Sequence, residues 1–166
     1  MDKKSLIKLL KALKHIKWHD RVIDGSNENI KWLPVVSYEC SAGVTHKSGL
    51  GSDGIWRGEY SDSRRVTKTG YSPCFFTILE FERVSFLELL RNSILSAGLP
   101  ENIIRTFPFD DIMLAAMRAH GHWASLADSW LEQGFPLSPQ MIIEFTDHKL
   151  VRKWEKQHLN EIINAK

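Results

Sequence analysis

Apolar positions repeat with two different periods along the 166-residue chain, and the period changes twice. From Lys3 to Trp18, Leu6, Leu9, Leu10, Leu13 and Ile16 recur at helical spacing with lysines opposite, which predicts an amphipathic N-terminal helix over 3–18. Asp24-Gly25-Ser26-Asn27-Glu28-Asn29 is turn chemistry. Short β-rich runs come next: Lys31–Glu39, Ile55–Tyr60, Arg64–Thr69 and Cys74–Glu82, the last with Phe75, Phe76, Ile78, Leu79 and Phe81. The links between them are turn-rich, so the pattern predicts hairpins in an antiparallel sheet of three or four strands. The glycine-rich stretch Ala42–Gly54 reads as a long loop.

From Val84 onward the period is helical. Ser85-x-x-Glu88 has capping-box form, and Gly98 with Pro100 closes that helix. Further helices are predicted near Pro100–Phe107, from Pro108 to a break at Gly121, over His122–Gln133 with Gly134 at its C-cap, from Ser138-Pro139, and from about Asp147. The expectation is a single α+β domain, 1–166, with a basic helix (1–21), a β-rich part (30–83) and a C-terminal helical bundle (84–166) packed on the sheet.

Composition narrows the class. A 43% hydrophobic and 25% charged chain sits near globular averages, which excludes disordered and collagen-like classes. The longest apolar run, Ile112–Met117, is far short of a bilayer span, and Lys8, Lys11 and Lys14 interrupt the one early apolar stretch, so neither a membrane span nor a secretory signal is expected. Cys40 and Cys74 lie outside any Cys-x-x-Cys and fit a reducing, cytoplasmic compartment.

The net charge of +2 conceals segregation. Residues 1–21 carry seven basic side chains against two acidic, residues 148–166 five against two, and residues 22–147 only ten against sixteen. Within 101–147, seven acids including Asp110, Asp111, Asp128 and Glu132 face Arg105 and Arg118 alone. Such segregation speaks to partners rather than fold: an acidic helical face favours a basic protein.

Chemical motifs mostly fail on context. Gly49-x-Gly51-x-x-Gly54 has dinucleotide-loop form, but the residues after it read as strand, where a phosphate cradle needs a helix N-terminus. His15-x-x-x-His19 and His120-x-His122 each offer two imidazoles where zinc takes three or four ligands. Asp110-Asp111 at a helix start complements the helix dipole. No cofactor, metal or catalytic set is therefore assigned. Arg64, Arg65 and Lys68 between Tyr60 and Tyr71, joined by the basic termini, leave nucleic-acid binding as an alternative, and a small enzyme with its site at the loop edge of the sheet as another. Trp56, beside the glycine loop and Arg57, is the tryptophan expected to be exposed.

The stretch Gly121–Gly134 contains Trp-x-x-Leu-Ala-x-x-Trp-Leu before a glycine and a further short helix. It resembles helices of small bacterial immunity proteins of contact-dependent inhibition and related polymorphic toxin systems, over about a tenth of the chain. That resemblance implies a cytosolic, non-enzymatic protein that binds and blocks one cognate toxin, often a nuclease. The chain departs from the acidic balance common in such proteins. The candidate partner surface is Asp110, Asp111, Asp128 and Glu132, with a second contact from the glycine loop through Asp53, Trp56 and Glu59.

Overall fold

The computed structural model describes residues 2–59, 64–68, 73–119, 121–139 and 141–143. The predicted helix from Asp147, together with Tyr60, Tyr71 and His120, lies outside the described residues. The chain divides into two compact units, residues 1–108 and 109–166. No described helix is long and apolar enough to cross a membrane.

The first unit opens with α1 (Lys3–Ala12). Asp2 caps it: its carboxylate accepts from the Ser5 amide at 3.0 Å and from the Ser5 hydroxyl at 2.7 Å. Leu6 and Leu10, one turn apart, are buried. The helix is shorter than its apolar pattern suggests. Leu13 turns to an extended backbone, and His15 leaves the helical path to bond the Gly98 carbonyl through Nε2 at 3.1 Å. Gly98 has φ +71°, and a Cβ there would strike the His15 ring, so both backbone and packing require glycine at that point.

Five strands come after it: β1 (His19–Ile23), β2 (Asn29–Glu39), β3 (Thr45–Gly51), β4 (Trp56–Glu59) and β5 (Arg65–Lys68). They run as an antiparallel meander, and β5 returns alongside β1 in parallel, closing a barrel. The sheet therefore has five strands, not three or four. The two added are β1 and β3, and β3 occupies the stretch expected to be a loop.

The register explains what each strand face does. Trp32 pairs with His19 and Gly51, Ser37 with Lys47, Lys47 with Glu59, and Glu59 with Val66. Opposed residues share a face. Val66 packs with Trp32 and Ile30 in one buried cluster, so that face is the barrel interior. Between Pro34 and Val36 the register slips by one residue. Such a bulge swaps the faces of the residues beyond it. Val36 and Tyr38 thereby turn outward, as do Leu50, Trp56 and Gly58 on β3 and β4.

Helices cover that outer face. The segment read as the best strand, Cys74–Glu82, is instead α2 (Pro73–Phe76), a 3-10 turn (Thr77–Glu80) and the residues leading into α3 (Arg83–Ser96). Glu82 takes the N-cap position of α3 and its side chain makes no capping bond, so Ser85 lies inside the helix rather than capping it. Tyr38 meets Phe81 and Phe86 edge-on at 5.9 and 5.7 Å, and Phe107 joins Phe86, Phe75 and Trp56. The Tyr38 hydroxyl donates to the Cys74 carbonyl, and burial, with Cys74 and Cys40 nearby, holds its phenol well above the ordinary range. Both cysteines are buried. Gly58 lets α2 approach the sheet, since a Cβ there would collide with the Cys74 sulfur. A 3-10 helix (Glu101–Thr106) ends the unit in place of the predicted second helix.

The second unit contains α4 (Phe109–Ala119) and α5 (His122–Glu132), divided at Gly121 as the sequence predicts. Phe109, at the start of α4, lies 6.0 Å from Trp130 near the end of α5 and 6.2 Å from Phe135, ring centre to ring centre. The two helices therefore fold back on each other as an antiparallel hairpin. Beyond α5, Ser138 accepts from the Met141 amide at 3.2 Å, the bond expected of a residue opening a new turn.

Trp32 and Gly51, paired across β2 and β3, yield a stability test. A Cβ at Gly51 would lie 2.8 Å from the Ile30 Cδ1 and would press on the Arg57 and Asp53 side chains as well. Gly51→Val is expected to cost about 1–3 kcal/mol by overpacking, and Trp32→Ala about 3–5 kcal/mol by cavity formation. Urea unfolding monitored by circular dichroism measures both.

Candidate functional site

The seven residues singled out from the sequence separate into two groups, one in each unit. Asp53, Trp56 and Glu59 belong to the barrel unit, and none of them stands out from it as a free contact surface. Asp53 sits in the β3–β4 turn and holds Arg57 in a fork, with oxygens 2.7 and 2.8 Å from the two terminal nitrogens. Arg57 is only 1% exposed, while Asp53 keeps 36%. Burial pushes the Asp53 carboxyl upward, but the Arg57 hydrogen bonds and charge, the Ile55 amide and Lys3 outweigh it and hold the group below its ordinary 3.8.

Trp56 is not exposed as expected. It is 3% accessible, packed edge-on to Phe107 at 4.9 Å, and its indole nitrogen donates to the Thr106 hydroxyl at 3.0 Å. Alternation on β4 is the reason: Trp56 points to the helix-covered face, while its neighbour Arg57 points into the barrel.

Glu59 faces inward and is 6% exposed. Arg21 reaches it from β1, Nε to Oε1 at 2.6 Å, and Lys47 from β3 at 3.7 Å. The Arg21 guanidinium also lies over the Trp32 ring, 5.2 Å from its centre. Around these groups the barrel mouth opens into a cavity of about 240 Å³, lined by His19, Arg21, Trp32, Lys47 and Glu59, with Pro34, Val35, Val36 and Ser37 along the β2 bulge. Arg21, Trp32 and Lys47 were not singled out from the sequence. The signal that could have found them is strand alternation across β2–β4, and that was obscured by the bulge and by the glycines of β3.

In the second unit, the hairpin gathers the acidic quartet. Asp110 and Asp111 follow Phe109 in the first turn of α4, and Asp128 and Glu132 flank Trp130 at the end of α5. Because Phe109 packs on Trp130, all four carboxylates lie at one end of the hairpin. Asp111 and Glu132 are exposed, and Asp110 and Asp128 half-buried. Asp110 and Asp111 also sit at the positive end of the α4 dipole, where acidic side chains stabilise a helix start.

The remaining motifs resolve structurally. Gly49 and Gly51 lie within β3 and Gly54 in the turn, and strand β4 comes next rather than a helix, so no helix N-terminus stands behind a phosphate cradle. His15 bonds the Gly98 carbonyl and His19 belongs to β1, so their spacing is not helical. The His122 ring lies beside that of Trp123, centres 5.1 Å apart and tilted by 60°. Among the described residues, no three His, Cys, Asp or Glu side chains gather as a metal site. Arg65 pairs with Asp24 at 3.4 Å, while Arg64 and Lys68 are exposed near it. No protein-family model, curated protein or solved structure matches the chain.

The Asp53–Arg57 fork makes a measurable prediction. Asp53→Asn leaves a buried guanidinium without its counter-charge, at an expected cost of about 2–3 kcal/mol, below the full buried-pair penalty because Asp53 keeps contact with water. A depressed carboxyl adds stability above its unfolded value, and that contribution disappears as pH falls through the folded one. The parent protein should therefore lose this stability only below about pH 3.8, and Asp53→Asn should lack that acid-limb loss; denaturant midpoints between pH 3 and 7 compare the two.

Proposed function

We propose that the chain is a non-enzymatic inhibitor of the immunity type, which binds a basic protein toxin and covers the surface that the toxin uses on its substrate. The observation that carries this reading is the clustering of Asp110, Asp111, Asp128 and Glu132 at one end of the α4–α5 hairpin. A nuclease must present lysines and arginines to bind phosphate, and those groups are what a compact acidic surface attracts.

The mechanism is occlusion. Long-range attraction steers the encounter and raises the association rate; short-range pairing then fixes register and blocks the substrate path. Trp130, Phe109 and Phe135 hold the two helix ends together, so the four carboxylates are presented on a pre-ordered scaffold and little ordering entropy is lost on binding. The Trp-x-x-Leu-Ala-x-x-Trp-Leu stretch that resembles immunity-protein helices is α5 itself, the helix that supplies Asp128 and Glu132.

Affinity capture from native-source lysate, with and without nuclease treatment, tests the proposal. The expected product is one basic protein held one-to-one through nuclease treatment and moderate salt, toxic or nucleolytic when released and silent when bound. Asp110→Lys with Asp111→Lys should weaken that complex by about tenfold or more, mainly through slower association, in a variant that stays folded with a thermal midpoint lowered only by the reversed charges at the α4 N-terminus. A captured protein with no activity to inhibit, or an affinity unchanged by the double reversal, overturns the reading. Loss of all captured material on nuclease treatment would instead assign the protein to nucleic acid.

A further inference from the structure

The cavity in the barrel mouth is not used by the proposed inhibitor surface, which lies on the other unit. Its wall has two chemistries. One side is charged: Arg21 is held by Glu59 through Nε, and its Nη1 donates to the Asp20 carbonyl at 3.0 Å. Among the described residues, Nη2 makes no further bond. Lys47 approaches Glu59 at 3.7 Å, beyond hydrogen-bond length, and keeps 43% of its side chain exposed. The other side is apolar, built from Pro34 and Val35 at the β2 bulge and floored by Trp32.

Counting charges identifies the ligand class. Arg21 and Lys47 supply two positive charges and Glu59 removes one, so the cavity carries one net positive charge and unused donors from both cations. A monoanion neutralises it. A dianion such as phosphate would be overbalanced, with Glu59 in the same wall, and a cation would meet Arg21 already on the Trp32 face. The cavity has room for about eight waters, enough for a carboxylate and a short aliphatic stem but not for a nucleotide. Open barrel mouths are recurrent ligand positions, and here Trp32, Arg21 and Glu59 are already fixed by their own packing and pairing.

We infer that the barrel mouth formed by Arg21, Trp32, Lys47 and Glu59 is a binding site for a small aliphatic monocarboxylate. The carboxylate bridges the Arg21 Nη2 and the Lys47 ammonium, and the stem lies on Pro34 and Val35. Two sources share this chemistry: a free short-chain acid, and the terminal carboxylate of a peptide ending in a small apolar residue.

Titration of the full-length, 15N-labelled protein tests the site, with sodium butyrate, butylammonium chloride, inorganic phosphate and sodium chloride at matched ionic strength. Butyrate should shift the Trp32 indole and Arg21 Nε–H resonances saturably and leave the Trp130 indole unmoved; the other three should not. Lys47→Met should weaken butyrate binding by about tenfold, the scale of one lost charged hydrogen bond, and Lys47→Arg should retain it, with the thermal midpoint unchanged in both. Acetyl-Ala-Val with a free terminus binding more tightly than butyrate identifies the peptide source, and the reverse order the free acid. The inference is overturned if butyrate produces no saturable shift, if phosphate acts equally well, or if a folded Lys47→Met variant binds as before. Since the acidic quartet takes no part, this result and the capture result can fail independently.

Discussion

A five-stranded barrel that must enclose a tryptophan sets the terms for the rest of the first unit. Closed sheets need about eight strands before the interior comfortably holds side chains, so a five-stranded one holds very few. Trp32 is fully buried there, and the residue paired with it on β3 is Gly51, with Gly49 next along the same face. A Cβ at Gly49 would strike the β2 backbone at Leu33, and one at Gly51 would strike the Arg57 guanidinium and the Asp53 carboxylate. Arg57 in turn is a buried charge and needs Asp53. The β3–β4 turn, with Gly54 at φ +73°, bends so that Asp53 reaches it. Turn shape, glycine placement and ion pairing therefore stem from one packing problem.

The same problem explains which parts of the fold were legible. A strand whose inward residues are Lys47, Gly49 and Gly51, with Ser48 on its outer face, shows no apolar alternation, so β3 reads as a loop although it is paired on both sides. Cys74–Phe81 fails in the opposite direction. Phe75, Ile78 and Leu79 are all nearly inaccessible, because the segment begins against β3 and β4 and its Phe75 meets Phe107, and burial on several sides gives a short helical stretch the continuous apolar run of a strand. The C-terminal helices have one wet face and one dry face, and their period and breakers appear directly in the sequence, including the division at Gly121.

Candidate residues were legible to the extent that their environment was local. Asp110 and Asp111 can be assigned to a helix start from sequence alone, and Asp128 and Glu132 to one helix face. That all four meet at one end depends on Phe109 packing against Trp130, a contact across two helices that no spacing rule contains. For Asp53, Trp56 and Glu59, nearness in sequence misled. Their shared glycine-rich neighbourhood suggests one exposed loop, whereas Trp56 faces the helices, Glu59 the barrel mouth, and Asp53 is tied to Arg57. The bulge at Pro34–Val36 separates these environments by exchanging the two faces of β2 partway along its length.

The protein thus carries acidic groups of two physical kinds, and salt distinguishes them. Asp53 and Glu59 are locked to guanidinium groups at 2.6–2.8 Å, and in each pair one partner is almost fully buried, Arg57 for Asp53 and Glu59 itself for Arg21, so mobile ions screen them weakly. They hold the barrel's shape and the charge balance of its mouth, and are not available to an incoming macromolecule. In the hairpin, Asp111 and Glu132 are exposed and Asp110 and Asp128 half-buried, and with a Debye length of about 8 Å at physiological ionic strength the proposed basic partner would sense the cluster before contact. Attraction of that kind governs how fast a complex forms more than how long it lasts. A lasting complex needs apolar burial too, and Phe109, Trp130 and Phe135, packed behind the carboxylates, confine that contribution to residues at the edge of the acidic end. A basic protein seated there would be selected by charge and retained by the shape of the hairpin end.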